Sequence, residues 1–293
     1  MITSELLRIR LSTAARVLLI LAVAEAVVVG LIFSFLPALV GGLTALNDVI
    51  PNATEADQLD GNQLSALSLA NPVTQGVVVD LLGNTGSGIG FPVIAALLLG
   101  ALTVSIEHGR GSLTASVLAE PRRARLLLVK VAALAGAVLA AAMLLALIRG
   151  VILSIGGVAN GVPLLLSPSD LTGLWIRGAL SLMLYAILGF SVGLLIRSPM
   201  TVTLVLGAAV VVETIVRPVT TLIAGVPNPA LYLPFGLTPD LSGSNPLATF
   251  TGADVIGTNV SPGMAVAALA AWALIVLVIA SVRFVRTDLP DRQ

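Results

Sequence analysis

Residues 107 to 130 read E-H-G-R-G-S-L-T-A-S-V-L-A-E-P-R-R-A-R-L-L-L-V-K, a polar and basic stretch between two apolar runs of membrane length. The stretch holds five of the fifteen lysine and arginine residues of the chain. Gly111 and Pro121 bracket a segment that we predict to be a short helix, because Ser112 is a suitable N-cap and proline ends a helix. A short helix held between two spanning helices is suited to act as a lever for another protein.

The composition of the chain is that of a membrane protein. Of its 293 residues, 57% are hydrophobic and only 10% are charged, and the mean hydropathy is +1.06. A soluble domain needs roughly a quarter of its residues charged. Most of the surface of this chain must therefore face lipid, and we predict an all-α integral membrane protein.

The same composition excludes several classes of function. The net charge is zero, so no basic field attracts nucleic acid. The chain has no cysteine, and its single histidine, His108, cannot form a histidine metal cluster. The glycine-rich run at 83–90 lacks the Gly-Lys-Ser/Thr ending of a phosphate loop. We therefore predict no catalytic residue, metal or cofactor in this chain, and expect any ATP to be used by a partner.

Six apolar runs are long enough to cross a bilayer. The predicted spans are residues 17–43, 89–106, 126–148, 174–196, 199–224 and 263–281. Residues 1–16 are predicted to form an interfacial helix with its arginines turned to anionic lipid, an ordinary charged leader being the alternative. The first apolar run exceeds the core of a cleaved signal peptide, so we expect a span there.

The distribution of cations predicts the orientation of the spans. Twelve of the fifteen fall on one side of the six-span arrangement, and the loops of the other side hold eight acidic residues. Because cations accumulate on the cytoplasmic side, we predict that both termini and residues 107–125 are cytoplasmic. Segments 44–88 and 225–262 are then extracytoplasmic loops. Within the first, residues 71–82 are predicted to form a short interfacial helix or strand, and the whole segment an exposed outer cap.

Charged residues inside predicted spans are candidates for functional sites. Glu25 lies in the first span and has no partner identifiable from the sequence. Glu213 and Arg217 lie four positions apart in the fifth span, in the favourable order for an ion pair. They form either a self-neutralising structural pair or the polar lining of a transport path. The sequence G-F-S-V-G at 189–193 is a small-xxx-small pattern, which permits close contact between helices.

The predicted short helix has an apolar ridge. Leu113 and Val117 lie four positions apart on one face, and Arg122, Arg123 and Arg125 follow at the membrane surface. An apolar ridge ringed by charge fits a groove in another protein. The alternative is a basic loop that only fixes the topology.

Several motifs resemble the ABC-2 type permease family, the transmembrane subunits of ATP-driven exporters. The pattern E-x-x-x-G-[ST]-L…L…P-R-R…R-L-L…K, which begins at Glu107, straddles the second and third spans as in that family. The start S-E-L-L-R-I-R…A-A-R-V-L-L is similar to the family's interfacial helix and first span. G-L-L-I-R-S…L-G-A-A-V-V-V-E resembles its fourth-to-fifth helix passage, and Y-L-P-F-G-L-T-P-D-L the loop before its last span. Segment 44–88 is longer than in many such permeases and is not matched.

The resemblance implies a subunit that pairs with a second permease copy and with two cytoplasmic ATPase subunits, which use ATP and Mg. The family's coupling helix maps onto residues 112–119. The implied coupling residues are Glu107, Ser112, Leu113, Val117, Leu118, Arg122 and Arg123. The resemblance also places Glu25, Glu213 and Arg217 near the dimer contact and the substrate path.

The expected function is export of a hydrophobic or amphipathic compound, such as a drug, antibiotic, peptide or lipid, across a bacterial plasma membrane. Two alternatives come from other functional classes. One is a secondary transporter that uses Glu25 and Glu213 as proton carriers, which would predict an internal repeat between the two halves. The other is a membrane scaffold or sensor that transports nothing.

Overall fold

The computed structural model of the chain describes residues 2–47, 68–84, 89–110, 123–196, 198–224, 229–243 and 260–286, and these form helices and turns without a strand. The α-helices of this part of the chain are α1 (Ile2–Leu11), α2 (Thr13–Asn47), α3 (Pro72–Val79), α4 (Phe91–Arg110), α5 (Arg123–Asn160), α6 (Pro168–Leu195), α7 (Pro199–Ala224), α8 (Thr238–Ser242) and α9 (Pro262–Arg286). A 3-10 turn, Pro229–Tyr232, lies between α7 and α8.

Six of these helices are long and apolar enough to cross a membrane. They are α2, α4, α5, α6, α7 and α9, and the mean hydropathy of their apolar windows lies between 1.7 and 2.7. The prediction of an all-α protein with six membrane-length helices is confirmed. The chain has the architecture of a multi-pass membrane protein.

Helix α5 extends well beyond the predicted third span. It continues to Asn160, whereas the prediction ended at residue 148 because glycines and polar residues follow. Gly161 ends the helix in the left-handed region with a φ of 63°. The Val162 N–H donates to the Gly157 carbonyl at 2.9 Å, the long-range bond of a Schellman motif. The helix therefore has a complete C-terminal cap at a position that the apolar pattern does not mark.

Helix α6 begins earlier than predicted, at Pro168 rather than at residue 174. The hydroxyl of Ser167 accepts a hydrogen bond from the Asp170 N–H at 3.1 Å, which makes Ser167 the N-cap. The Ser198-Pro199 pair is the same type of start signal, and the predicted range 199–224 coincides with α7.

Glycines allow α4 and α6 to pack with their backbones in close contact. A Cβ atom on Gly189 would lie 1.9 Å from the carbonyl oxygen of Leu97, and one on Gly193 would lie 2.5 Å from that of Ala101. Leu97 thus lies against Gly189, and Ala101 lies against Gly193. Because the residue numbers increase together along both helices, α4 and α6 run in the same direction. Both glycines of the G-F-S-V-G pattern are thus at this contact.

The described part of segment 44–88 is buried against the spans. Residues 74–84 are all buried, and Leu69 is 1% exposed. The side-chain amide of Gln75 donates to the carbonyls of Leu69 and Pro163 at 2.9 and 3.0 Å, which fixes α3 to the α5–α6 connection. The prediction of an exposed cap is therefore wrong for these residues, because their polar groups are satisfied inside the protein. The stretches 48–67 and 85–88 lie outside the described residues.

Candidate functional site

Most of the predicted coupling residues lie outside the described residues. These are Ser112, Leu113, Val117, Leu118 and Arg122. Helix α5 begins at Arg123, whose backbone is described but whose side chain is not. Glu107, in the last turn of α4, is described in full and belongs to a buried ion cluster.

Four side chains from three helices form this cluster, which we call the basic-end cluster: Glu5, Arg8, Glu107 and Lys130. The ammonium of Lys130, on α5, lies 2.9 Å from both carboxylate oxygens of Glu107 and 3.0 Å from Oε1 of Glu5. A terminal guanidinium nitrogen of Arg8 lies 2.7 Å from Oε1 of Glu107. The cluster ties α1 to the end of α4 and the start of α5.

The charges of the basic-end cluster balance, two carboxylates against two cations. The side chains of Glu107 and Lys130 are only 2% and 1% exposed. Buried charges are tolerated when they are paired and hydrogen-bonded, and each of these is. The carboxylate of Glu107 thus points into the protein, and it joins the two helices that flank residues 111–122.

A second set of charged side chains lies at the opposite end of the spans. Glu25 of α2 accepts a hydrogen bond from a terminal nitrogen of Arg149 on α5 at 2.8 Å. Arg149 is fully buried, and it also donates to the carbonyl of Val78 at the end of α3 at 3.3 Å. Glu25, which had no identifiable partner in the sequence, therefore joins α2 to α5, and Arg149 extends the link to α3.

Asp80 follows α3 and is buried beside the same arginine. Its carboxylate accepts hydrogen bonds from the N–H groups of Leu82 at 3.1 Å and Asn84 at 3.0 Å. Burial raises the pKa of Asp80, and the opposite effect of Arg149, of these two N–H groups and of Arg177 is smaller. Asp80 therefore fixes the turn after α3 in a site where its ionised form is disfavoured.

Glu213 and Arg217 of α7 both bind the segment that contains α8. Arg217 forms an ion pair with Asp240, and the carboxylate of Glu213 accepts a hydrogen bond from the N–H of Gly236. Asp240 also accepts from the Val260 N–H at 3.3 Å. The two residues thus attach α7 to residues 229–243, a role that the i, i+4 spacing did not predict.

Helix α6 holds the same segment from its other side. Arg177 donates to the carbonyls of Leu241 at 2.6 Å and Ser242 at 2.8 Å, and the hydroxyl of Tyr185 donates to the Pro234 carbonyl at 2.6 Å. We call the charged side chains of this end the opposite-end network. Its members are Glu25, Asp80, Arg149, Arg177, Glu213, Arg217 and Asp240.

Lys130 and Arg149 are site residues that were not predicted from the sequence. Lys130 is the only lysine of the chain, and it lies within the apolar run of the third predicted span. A cation in such a run needs a carboxylate partner on a neighbouring helix, which Glu107 and Glu25 supply for the two cations. This requirement could have marked both cations as site residues from the sequence. Which carboxylate pairs with which cation, however, depends on which helices are neighbours.

The described residues contain no group of three or more metal-ligating side chains. The arrangement is instead one of ion pairs and hydrogen bonds that link helices at each end of the bundle. A scan against protein-family models and a search of curated proteins found no match to the chain.

Proposed function

We propose that this chain is the permease subunit of an ABC exporter, which pairs with a second permease copy and is driven by two cytoplasmic ATPase subunits. The single observation that best supports the proposal is the position of the basic-end cluster. Glu107 and Lys130 are 23 positions apart in the sequence, one before and one after the proposed coupling segment. Their contacts of 2.9 Å join the two spans that flank this segment. Displacement of that segment would act on both flanking spans at once.

The attachment of α1 adds to this argument. Glu5 and Arg8 bind Lys130 and Glu107, so the N-terminal helix is connected to the same two spans. In the proposed mechanism the ATPase subunits bind ATP and Mg and press on residues 112–119. The basic-end cluster then transmits that movement to α1, α4 and α5 as a unit, which shifts the population between inward-open and outward-open states.

The opposite-end network has a complementary role in the proposal. It joins segments 68–84 and 229–243, each of which is buried over most of its length, to α2, α5, α6 and α7 through ion pairs and hydrogen bonds. These segments would close the outer side of the path until the spans move. Six apolar spans suit a hydrophobic or amphipathic cargo, such as a drug, antibiotic, peptide or lipid, in a bacterial plasma membrane.

The test is to identify an ABC ATPase that co-purifies with the chain and to reconstitute the two together in proteoliposomes. We expect ATP-dependent flux of an amphipathic dye, and loss of that flux in the double variant Leu113→Asp, Val117→Asp. A matched control is Ala24→Asn, an exposed position on α2 far in sequence from the coupling segment. If flux follows a proton gradient without any ATPase, the secondary transporter is correct. Absence of all flux in an otherwise folded complex would favour the scaffold.

A further inference from the structure

Two carboxylates of the opposite-end network lie near one guanidinium, where α7 meets residues 229–243. Arg217 of α7 forms its ion pair with Asp240 on α8. Glu213, one turn earlier on α7, instead accepts a hydrogen bond from the backbone N–H of Gly236. The carboxylate of Asp240 is fully buried, and Glu213 is buried as well. The structure therefore pairs the arginine with one of two buried carboxylates.

Glu213 is close enough to become the alternative partner of this arginine. A Cβ atom on Gly236 would lie 3.2 Å from Oε1 of Glu213 and also 3.2 Å from a terminal nitrogen of Arg217. These two atoms are therefore at most twice that distance apart. The two residues also have the i, i+4 order, with glutamate first, that favours an ion pair within a helix. A rotation of the Arg217 side chain is enough to exchange its partner, and the helix itself need not change.

Helix α7 is the span that can separate most easily from its neighbours. Only 17% of its apolar window is buried, the lowest fraction of the six spans, whereas for α6 the fraction is 67%. Residues 229–243 are bound from α6 by Arg177 and Tyr185. They are also bound from α9, because the indole N–H of Trp272 donates to the carbonyl of Tyr232 at 2.9 Å. The segment therefore stays with α6 and α9 when α7 moves.

We propose that Arg217 is a two-position switch. In the locked position it binds Asp240 and holds the second half of α7 to residues 229–243, as in the structure. In the released position it binds Glu213 on its own helix, and that half of α7 separates from the segment. Asp240 keeps its hydrogen bond from the Val260 N–H in both positions, and the arginine is never left without a carboxylate. The switch involves this chain alone, so it stands whether or not the chain is an exporter.

Two amide substitutions shift the switch in opposite directions. In Glu213→Gln the amide oxygen can still accept from the Gly236 N–H, but the released position loses its anion, so the locked position is favoured. In Asp240→Asn the amide oxygen can still accept from the Val260 N–H, but the locked position loses its anion, so the released position is favoured. A purely structural contact would be weakened by both substitutions. Asp170→Asn is the matched control, because Asp170 is an exposed carboxylate at the start of α6.

The absence of cysteine from the sequence allows two spin labels to be placed without background labelling. Labels on Val158→Cys and Val219→Cys, both exposed positions, measure the distance between α5 and α7 by double electron–electron resonance in lipid nanodiscs. We expect two distances, of which the locked one matches the structure. Glu213→Gln should lower the ratio of released to locked protein about two-fold, as loss of an ion pair within a helix predicts. Asp240→Asn should raise that ratio about ten-fold or more, as loss of a hydrogen bond between charged groups predicts.

The direction of each shift decides the outcome. A single distance in every folded variant, an unchanged ratio, or a shift of both variants in the same direction overturns the proposal. An equal shift in Asp170→Asn also overturns it, because any lost carboxylate would then have the same effect. If only one of the two variants keeps the thermal midpoint of the control, that variant alone decides, since the direction of its shift is specified.

Discussion

Replacement of Lys130 by methionine is the most direct perturbation of the basic-end cluster. Methionine is similar in length and apolar, so the packing around the aliphatic part of the side chain is kept. The change removes the cation that binds both Glu107 and Glu5. Removal of one partner from a buried ion pair typically costs about 3–5 kcal/mol, because the remaining charge is left uncompensated. Arg8 still contacts Glu107, so we expect about 3 kcal/mol.

A double-mutant cycle separates this pair from a general loss of stability. Glu107→Gln in the Lys130→Met background removes the uncompensated carboxylate, so the double variant should be less destabilised than the sum of the two single variants. We expect a coupling energy of about 2 kcal/mol, within the range for residues in contact. Arg286→Met is the control, an exposed cation in the last turn of α9, with an expected effect within about 0.5 kcal/mol.

The free energies come from equilibrium unfolding in mixed micelles, in which the fraction of denaturing detergent is raised and tertiary structure is followed by near-ultraviolet circular dichroism. A Lys130→Met variant as stable as the Arg286→Met control would show that the Lys130 ammonium does not stabilise the fold. Single effects that add without coupling would show that the carboxylate of Glu107 and the ammonium of Lys130 do not interact.

Three further predictions concern packing, a buried hydroxyl and a buried carboxyl. Gly189→Ala should lower stability by about 3 kcal/mol or more, because its methyl group would overlap the α4 backbone, whereas Gly173→Ala, at a position with no neighbour within 4 Å, should not. Tyr185→Phe should cost about 1–3 kcal/mol in the same unfolding assay, since a buried carbonyl loses its donor. The pKa of Asp80 is raised in the folded protein. Above about pH 4, the folded protein therefore binds more protons at this carboxyl group than the unfolded protein does. Wild type should therefore lose stability relative to Asp80→Asn as the pH rises from that value, and a parallel pH dependence of the two would contradict the burial of the carboxyl.

The six spans could be predicted because a spanning helix is specified locally, by a run of apolar residues of sufficient length. Helix α7 was predicted with its observed bounds, since Ser198 and Pro199 mark its start. The start of α6 has the same kind of pair, Ser167 and Pro168. This start was not predicted, because the apolar run of that span begins only at residue 174. Helix α3 was ambiguous for a related reason. Its eight residues are too few for periodicity to distinguish a helix from a strand.

The ion pairs could not be predicted, because they depend on which helices are neighbours. Glu213 and Arg217 have the spacing of an intrahelical pair, which is worth only about 0.2–0.5 kcal/mol on a helix surface. In the fold, Arg217 reaches the buried carboxylate of Asp240 on α8, and Glu213 reaches the N–H group of Gly236 just before α8. Both contacts involve a charged group in a buried site, so they are stronger than an ion pair on a helix surface. Arg149 could be assigned to Glu25 only once α2 and α5 were known to pack together.

Helix α5 connects the two sets of charges. Lys130, in the basic-end cluster, and Arg149, in the opposite-end network, lie on the same helix, 19 positions or about 28 Å apart. The helix is continuous from Arg123 to Asn160, so axial movement at one end is carried to the other with little loss. Each cation is buried and paired with a carboxylate on a neighbouring span, Glu107 on α4 and Glu25 on α2. If α1, α4 and α5 move as a unit relative to α2, the Lys130–Glu107 pair is kept and the Arg149–Glu25 pair must shift. That geometry gives a physical route between the two ends of the protein, because the Arg149–Glu25 pair cannot break without leaving the buried Arg149 cation without its carboxylate partner.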